Sequence, residues 1–221
     1  MDSMARPLVI LGIGGNAYDV LDVVEAINAR RPTWRVVGFL DDAREPGSRH
    51  LGLEVVGPLA SARWVGGCAF LNAIGSDRSF RRRPELLAAT GLRPEQFATL
   101  VHPLASVSSY ARLGHGVCVG HGASVAGGVT VGDHVWLGPR SVVGHDSMVG
   151  ACAMLAPGAV VSGYCQLGAA CYLGAGAVLR PRVRVVEKAL VEVGAVVRHD
   201  VAEVTPVGTH VRPSSRLREA P

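Results

Sequence analysis

The second half of the chain repeats every six residues. Stepping by six from Val101 meets Val107, Leu113, Val119, Val125, Val131, Leu137, Val143, Val149, Leu155, Val161, Leu167, Leu173, Leu179, Val185, Val191 and Val197, and all seventeen positions are Leu or Val. The next residue is often glycine, as at Gly138, Gly144, Gly150 and Gly174, and the residue two before is mostly small or β-branched. A helix would repeat every 3.6 residues and a sandwich would turn every 8 to 12. Six residues suit a short strand and a turn, with one aliphatic side chain inward and small residues letting the turns stack. Three units then close a triangular coil, and residues 18 apart lie one above another on the same edge. The period leaves the hand of the coil open.

The first hundred residues follow another pattern. "PLVILGIG" (7–14) reads as a strand ending in glycines, and "NAYDVLDVVEAINARR" follows with Ala17, Val20, Leu21, Val24 and Ile27 on one helical face. "RVVGFLDD" and "CAFLNAIG" read as further strands, with a helix expected over about residues 79–90. This alternation predicts a small parallel α/β sheet of Rossmann-like βαβ type. Gly12, Gly14 and Gly15 at the strand-to-helix turn would let a phosphate approach backbone N–H groups at a helix N-terminus. Asp41 and Asp42 end the second strand, where such sheets bind ligands. Tight-turn glycines and solvated aspartates explain this segment equally well. With so few strands, a sugar nucleotide fits the space better than a nicotinamide dinucleotide. Three parts are expected: an α/β domain over 1–100, a β-helix over 101–203 and a basic tail over 204–221.

Charge and cysteines exclude several classes. The net charge of +4 comes from scattered arginines, with clusters at Arg81, Arg82 and Arg83 and at Arg212, Arg216 and Arg218. This is a weak bias towards anionic ligands and not a nucleic-acid face. Five cysteines without CxxC spacing argue against a disulfide framework or structural zinc and read as small apolar fillers in a reducing compartment. The N-terminus lacks the pattern of a secretory signal, and glycine breaks each apolar run before 18 residues, so a cytoplasmic protein that does not enter the membrane is expected.

Within the hexads, "VVGHDSMVG" sets a histidine and an aspartate side by side, His145 and Asp146. His145 is the third residue of its hexad, a turn position at a corner of the coil. Together with "LVILGIGGNAYDVLDVV", "VVGFLDD", "NAIGSD" and "HPLASV", this stretch resembles the hexapeptide-repeat nucleotide-sugar acetyltransferases. These are the N-acetyltransferases of nucleotide-linked 4-amino-4-deoxy sugars and the related sialic acid O-acetyltransferases. The resemblance implies a left-handed parallel β-helix, acetyl-CoA as co-substrate without a metal, and a homotrimer with active sites between subunits. It assigns His145 as general base and Asp146 as the acid beside it. A histidine titrating near 6.5 can take the proton of an attacking amine, which is typically worth about 10² to 10⁴ in rate. An aspartate in reach of it would fix the tautomer.

The resemblance draws the nucleotide-sugar site around Gly12, Gly14, Gly15, Asn16, Asp41 and Asp42, with Arg81 as a cation. It places acetyl-CoA along Gly174, Ala175 and Gly176 and past Met154. Departures are Asn16 and Met154 where histidines are common, and Gly138 where asparagine is. Asn16 would donate to a phosphate or cap the helix. His102 is read as structural or lining the sugar site, and His115, His121 and His134 as surface turn residues. A metal-dependent carbonic anhydrase would need a ligand at position 150, which is Gly150. Two rivals stay open: O-acetylation of a sugar hydroxyl, and a non-catalytic nucleotide-sugar-binding scaffold. The prolines and arginines of the tail read first as a loose, solvated basic segment, with Arg212 or Arg216 reaching the 3′-phosphate of CoA as the alternative.

Overall fold

The structure, a computed structural model, describes residues 5–202. The expected tail and its Arg212 and Arg216 lie outside the described residues. In the first part, β1 (Arg6–Leu11), α1 (Asn16–Arg30), β2 (Trp34–Leu40), β3 (Arg49–His50), β4 (Leu53–Gly57), β5 (Ala69–Asn72) and α2 (Arg83–Ala89) form an α/β domain. Its sheet runs β3-β4-β2-β1-β5, parallel except for β3 against β4. The order reverses at β1, so the carboxyl ends of β1 and β5 flank the crevice where open α/β sheets bind ligands. The β3–β4 hairpin was not anticipated. It turns on Leu51 and Gly52, both left-handed (φ 51° and 76°), a pattern that two-residue hairpins favour. The α-helix expected from residue 79 begins at Arg83, after a 3₁₀ turn over Phe80–Arg82.

From Leu100–Val101 to Val196–Val197, seventeen two-residue strands wind into a left-handed parallel β-helix. Each pairs with the strand 18 residues on, as Ser124, Val142 and Val160 do. Three faces result. The first carries Leu100, Cys118, Trp136, Met154, Tyr172 and Leu190 outward; the second Ser106, Ser124, Val142, Val160, Val178 and Val196; the third Arg112, Thr130, Met148, Gln166 and Arg184. Inside, the Leu or Val of each hexad packs with the small residue two before it, including Ala123, Ala153, Cys165 and Cys171. All five cysteines are free thiols.

The glycine that follows each Leu or Val is dictated by the neighbouring coil. A Cβ on Gly132 would lie 2.7 Å from the backbone N of Ala151, and one on Gly150 2.6 Å from that of Ala169. The conformational demand falls two residues later. Every fourth position from Gly116 to Gly194 has left-handed φ, and eight of these fourteen residues are not glycine, among them His134, Asp146, Tyr164 and Arg182.

The α/β domain sits on the first face. Cys118, Trp136 and Met154 share one core with Leu8, Ile10, Val20 and Phe80. Arg83 crosses this junction almost fully buried, its Nη2 donating to the His134 carbonyl at 2.5 Å. Burial lowers the guanidinium to about 10, against the opposing pull of the Cys152 and Cys118 thiols. His134 is also drawn in, contrary to its surface reading. It packs edge-on against Phe97 at 4.4 Å, and burial, more than offsetting Asp133, lowers it to about 4 with help from Arg83 and His115. His115 and His121 are exposed at turns.

Candidate active site

His145 and Asp146 occupy the vertex between the second and third faces. Side chains of adjacent residues usually diverge. Here the left-handed φ of 57° at Asp146 accompanies a close contact of its Oδ2 with His145 Nδ1 at 2.9 Å. A carboxylate accepts, so Nδ1 carries the hydrogen and Nε2 presents a lone pair. Both side chains are open to solvent, at 60% and 50%. Beneath the pair, the buried Ser147 hydroxyl donates to the Ser162 carbonyl at 2.9 Å and accepts from Cys165 N–H at 3.0 Å, pinning the turn to the next coil.

That next coil supplies residues that sequence reasoning missed. Gly163 lies under the imidazole, and a Cβ there would come within 2.8 Å of Nε2. Tyr164 meets the ring edge-on, with centroids 4.9 Å apart, and Arg182 of the following coil covers Tyr164 at 4.5 Å. Asp146, Tyr164 and Arg182 stand 18 apart at fourth positions of their hexads. The repeat therefore held the signal, had it been read down the edge as well as along the chain.

The glycine turn lies on the other side of the coil, with the α/β domain. Gly12 is left-handed (φ 90°) and backs against Ile74 of the loop after β5, whereas a Cβ on Gly14 or Gly15 would meet nothing within 4 Å. That open floor at the start of α1 suits an anion. Asp41 braces the turn: Oδ2 accepts from Ile13 N–H at 3.2 Å and Oδ1 from Ala43 N–H at 2.8 Å. Asp42 accepts from Leu59 N–H at 2.8 Å and is otherwise exposed.

Three expectations change. Asn16 neither caps α1 nor offers its amide outward, because its Nδ2 donates to the carbonyls of Ala73 and Gly75 at 3.2 and 2.9 Å. It ties the helix start to the loop after β5. Arg81 donates from Nε to the Lys188 carbonyl at 3.0 Å and stacks on Phe80, which makes it a strut between the domains. Met154, 3% exposed, is buried in the domain junction, with its sulfur against Gly75. Gly174, Ala175 and Gly176 lie at the vertex between the first and second faces. Gly174 is tight against the Glu192 and Val193 backbone, Ala175 is half-buried, and Gly176 (φ 66°) faces open space. Among the described residues, no three His, Cys, Asp or Glu are gathered to hold a metal ion. Nor is any helix among them long and apolar enough to cross a membrane.

A β-helix of hexads with a solvent-facing histidine–carboxylate pair on one vertex, joined to an α/β domain, defines a hexapeptide-repeat acyltransferase. Comparison with known proteins agrees. Residues 128–163 match the model of bacterial transferase hexapeptide (six repeats), and residues 7–83 that of the PglD N-terminal domain. The acetyltransferase domain of PglB from Neisseria gonorrhoeae FA1090, solved in complex with acetyl coenzyme A, is 30% identical over 91% of this chain and 95% of that one, with a TM-score of 0.77. PerB from Caulobacter crescentus, in complex with CoA and GDP-perosamine, is 29% identical over 91% of each chain, with a TM-score of 0.75. WeeI from Acinetobacter baumannii AYE, 21% identical over 93% of this chain and 95% of that one with a TM-score of 0.74, shares the fold. Among curated protein sequences there is no match. The chain belongs to the hexapeptide-repeat family of nucleotide-sugar acetyltransferases.

Proposed function

We propose that the protein transfers the acetyl group of acetyl-CoA to the amine of a nucleotide-linked amino-deoxy sugar. His145 is the general base and Asp146 holds its tautomer. The observation that carries this reading is the 2.9 Å contact between His145 Nδ1 and Asp146 Oδ2, which leaves Nε2 as an exposed acceptor on a firm turn. The amine attacks the thioester carbonyl, its proton passes to Nε2, and the collapsing intermediate expels the CoA thiolate, which His145 then protonates. Met154 is out of reach as an oxyanion donor, and a thioether has no hydrogen to give, so backbone N–H groups serve that purpose. The relatives with bound acetyl coenzyme A or GDP-perosamine support the substrate class.

A single chain keeps the two halves of this site apart. The glycine turn belongs to the domain on the first face, and His145 occupies the opposite vertex. A homotrimer, with the base of one copy meeting the sugar site of its neighbour, joins them. The outward valines Val142, Val160, Val178 and Val196 give the second face an apolar stripe suited to that contact. The direct test is CoA release from acetyl-CoA with GDP-perosamine and other nucleotide-linked 4-amino sugars. A product stable to mild alkali identifies an amide, and a labile one the ester of O-acetylation. Full activity in His145→Ala would overturn the mechanism, and absence of acetyl-CoA binding would favour the scaffold reading.

A further inference from the structure

Below the histidine–carboxylate pair, the same edge of the coil carries an aromatic ring and a guanidinium. Gly128, Asp146, Tyr164 and Arg182 follow one another 18 residues apart, all with left-handed backbone (φ 74°, 57°, 60° and 67°). Such backbone favours glycine, which fills it elsewhere on the coil, as at Gly158 and Gly176. At Gly128 a side chain is also excluded, because a Cβ there would strike the Asp146 carboxylate. Tyr164 and Arg182 accept the conformational cost instead, so a compensating gain has to be sought in what their side chains touch.

Those contacts lead back to His145. Rotation about χ2 of a histidine is soft, and an imidazole that is 60% exposed has little around it to fix its plane. The contact of Nδ1 with Asp146 Oδ2 holds one atom of the ring. Tyr164 adds a wall, its ring standing at 86° to the imidazole with centroids 4.9 Å apart, a geometry aromatic pairs favour. Tyr164 is itself 45% exposed, and it is held in turn by Arg182, whose Cζ lies 4.5 Å from the centroid of the phenol ring. Backbone bonds pin each rung: Tyr164 N–H donates to the His145 carbonyl at 2.9 Å, and Arg182 N–H to the Gly163 carbonyl at 3.0 Å. Resting on the function proposed above, we infer that Tyr164 and Arg182 are positioning residues for acetyl transfer. Tyr164 sets the plane of His145 that keeps Nδ1 on Asp146 and Nε2 towards the acceptor amine, and Arg182 holds Tyr164 in place. Neither takes or gives a proton.

Tyr164→Gly in the full chain separates this role from a structural one, because it relieves the left-handed backbone while removing the ring. Its kcat should fall by about 10- to 100-fold, with KM for acetyl-CoA within about threefold of wild type and Tm lower by no more than about 2 °C. Tyr164→Phe, which keeps the ring, should recover kcat to within about threefold. Arg182→Gln should lower kcat by about three- to tenfold alone and not at all on top of Tyr164→Gly, since it acts through that ring. If the glycine variant melts early, Tyr164→Asn, also at ease in left-handed backbone, repeats the test. An unchanged kcat in Tyr164→Gly, a Tyr164→Phe as slow as Tyr164→Gly, or a change confined to KM for acetyl-CoA overturns the inference. Nitrogen NMR of the neutral imidazole, on the full chain without substrates, reads it apart from turnover. Wild type should show one His145 tautomer, with the hydrogen on Nδ1, and Tyr164→Gly a mixture with the Nε2–H form. A tautomer unmoved by Tyr164→Gly overturns the inference while an active wild type leaves the proposed function standing. A wild type that acetylates no nucleotide-linked amino sugar overturns both.

Discussion

Replacing Gly163 by alanine tests whether the imidazole of His145 must lie flat on the next coil. The added Cβ would stand 2.8 Å from Nε2, 2.9 Å from Cε1 and 3.1 Å from Cδ2. Ordinary carbon contacts are about 3.5 to 4.0 Å, so the ring must lift by about 0.7 to 1 Å. It can do so cheaply, because the His145 side chain is 60% exposed. Gly163 is also outside the left-handed positions, so alanine adds no backbone strain. A displacement of that size costs about 10² in rate when geometry is what a base supplies. The expectation is therefore a kcat about 100-fold lower, KM for acetyl-CoA within about threefold, and a Tm changed by no more than about 2 °C. Steady-state kinetics and a melt on the same preparation decide it. A kcat within about threefold of wild type would show that Nε2 need not occupy this place, and would sink the assignment of Gly163 as a positioning residue. The Gly163→Ala and His145→Ala double variant should be no slower than His145→Ala alone, since both act through one group.

Other perturbations address different links. For His134, lowered to about 4, the unfolded chain binds a proton between about pH 6.5 and 4 that the folded one refuses, so stability is complete above that window and falls as pH drops through it. At about 1.4 kcal/mol per unit the ceiling is about 3.5 kcal/mol, reduced to about 2 kcal/mol because the ring keeps some exposure. Relative to wild type, His134→Asn should thus melt about 4 to 8 °C higher at pH 4.5 than the same comparison gives at pH 7, and parallel pH profiles would refute the assignment. Gly150→Ala forces a Cβ against the Ala169 backbone N at 2.6 Å and should lose about 1 to 3 kcal/mol in urea unfolding. Gly14→Val, where nothing lies within 4 Å, should leave stability within about 0.5 kcal/mol but raise KM for the nucleotide sugar; an unchanged KM would remove the phosphate role of the turn. Val160→Asp, which puts a charge in the valine stripe, should yield smaller particles in light scattering and lose activity in proportion.

The chain's periodicity is a local property, and local properties survive in a sequence. One aliphatic residue per hexad, with a small one two before it, is enough to specify a coil of short parallel strands, because each inward position meets the same environment as the one 18 residues on. The glycine turn and "FLDD" were legible for the same reason, since strand-to-helix geometry is set within a few residues. The hand of the coil, the left-handed φ at Asp146 and the contact of its carboxylate with His145 are not local in that sense. Nor was the fate of Asn16, Arg81 and Met154, three residues that sequence placed near ligands. Asn16 is claimed by the Gly75 loop, Arg81 by the Lys188 carbonyl and Met154 by the domain junction, each through a partner distant in the chain. Sequence determined that this protein would be a hexad coil joined to an α/β domain, with a histidine at a corner. The tertiary structure decided which face that domain covers, and thereby put His145 on the far vertex from the glycine turn, since only the packing of outward residues such as Cys118 and Trp136 against Leu8 and Phe80 distinguishes one face of a triangular coil from another.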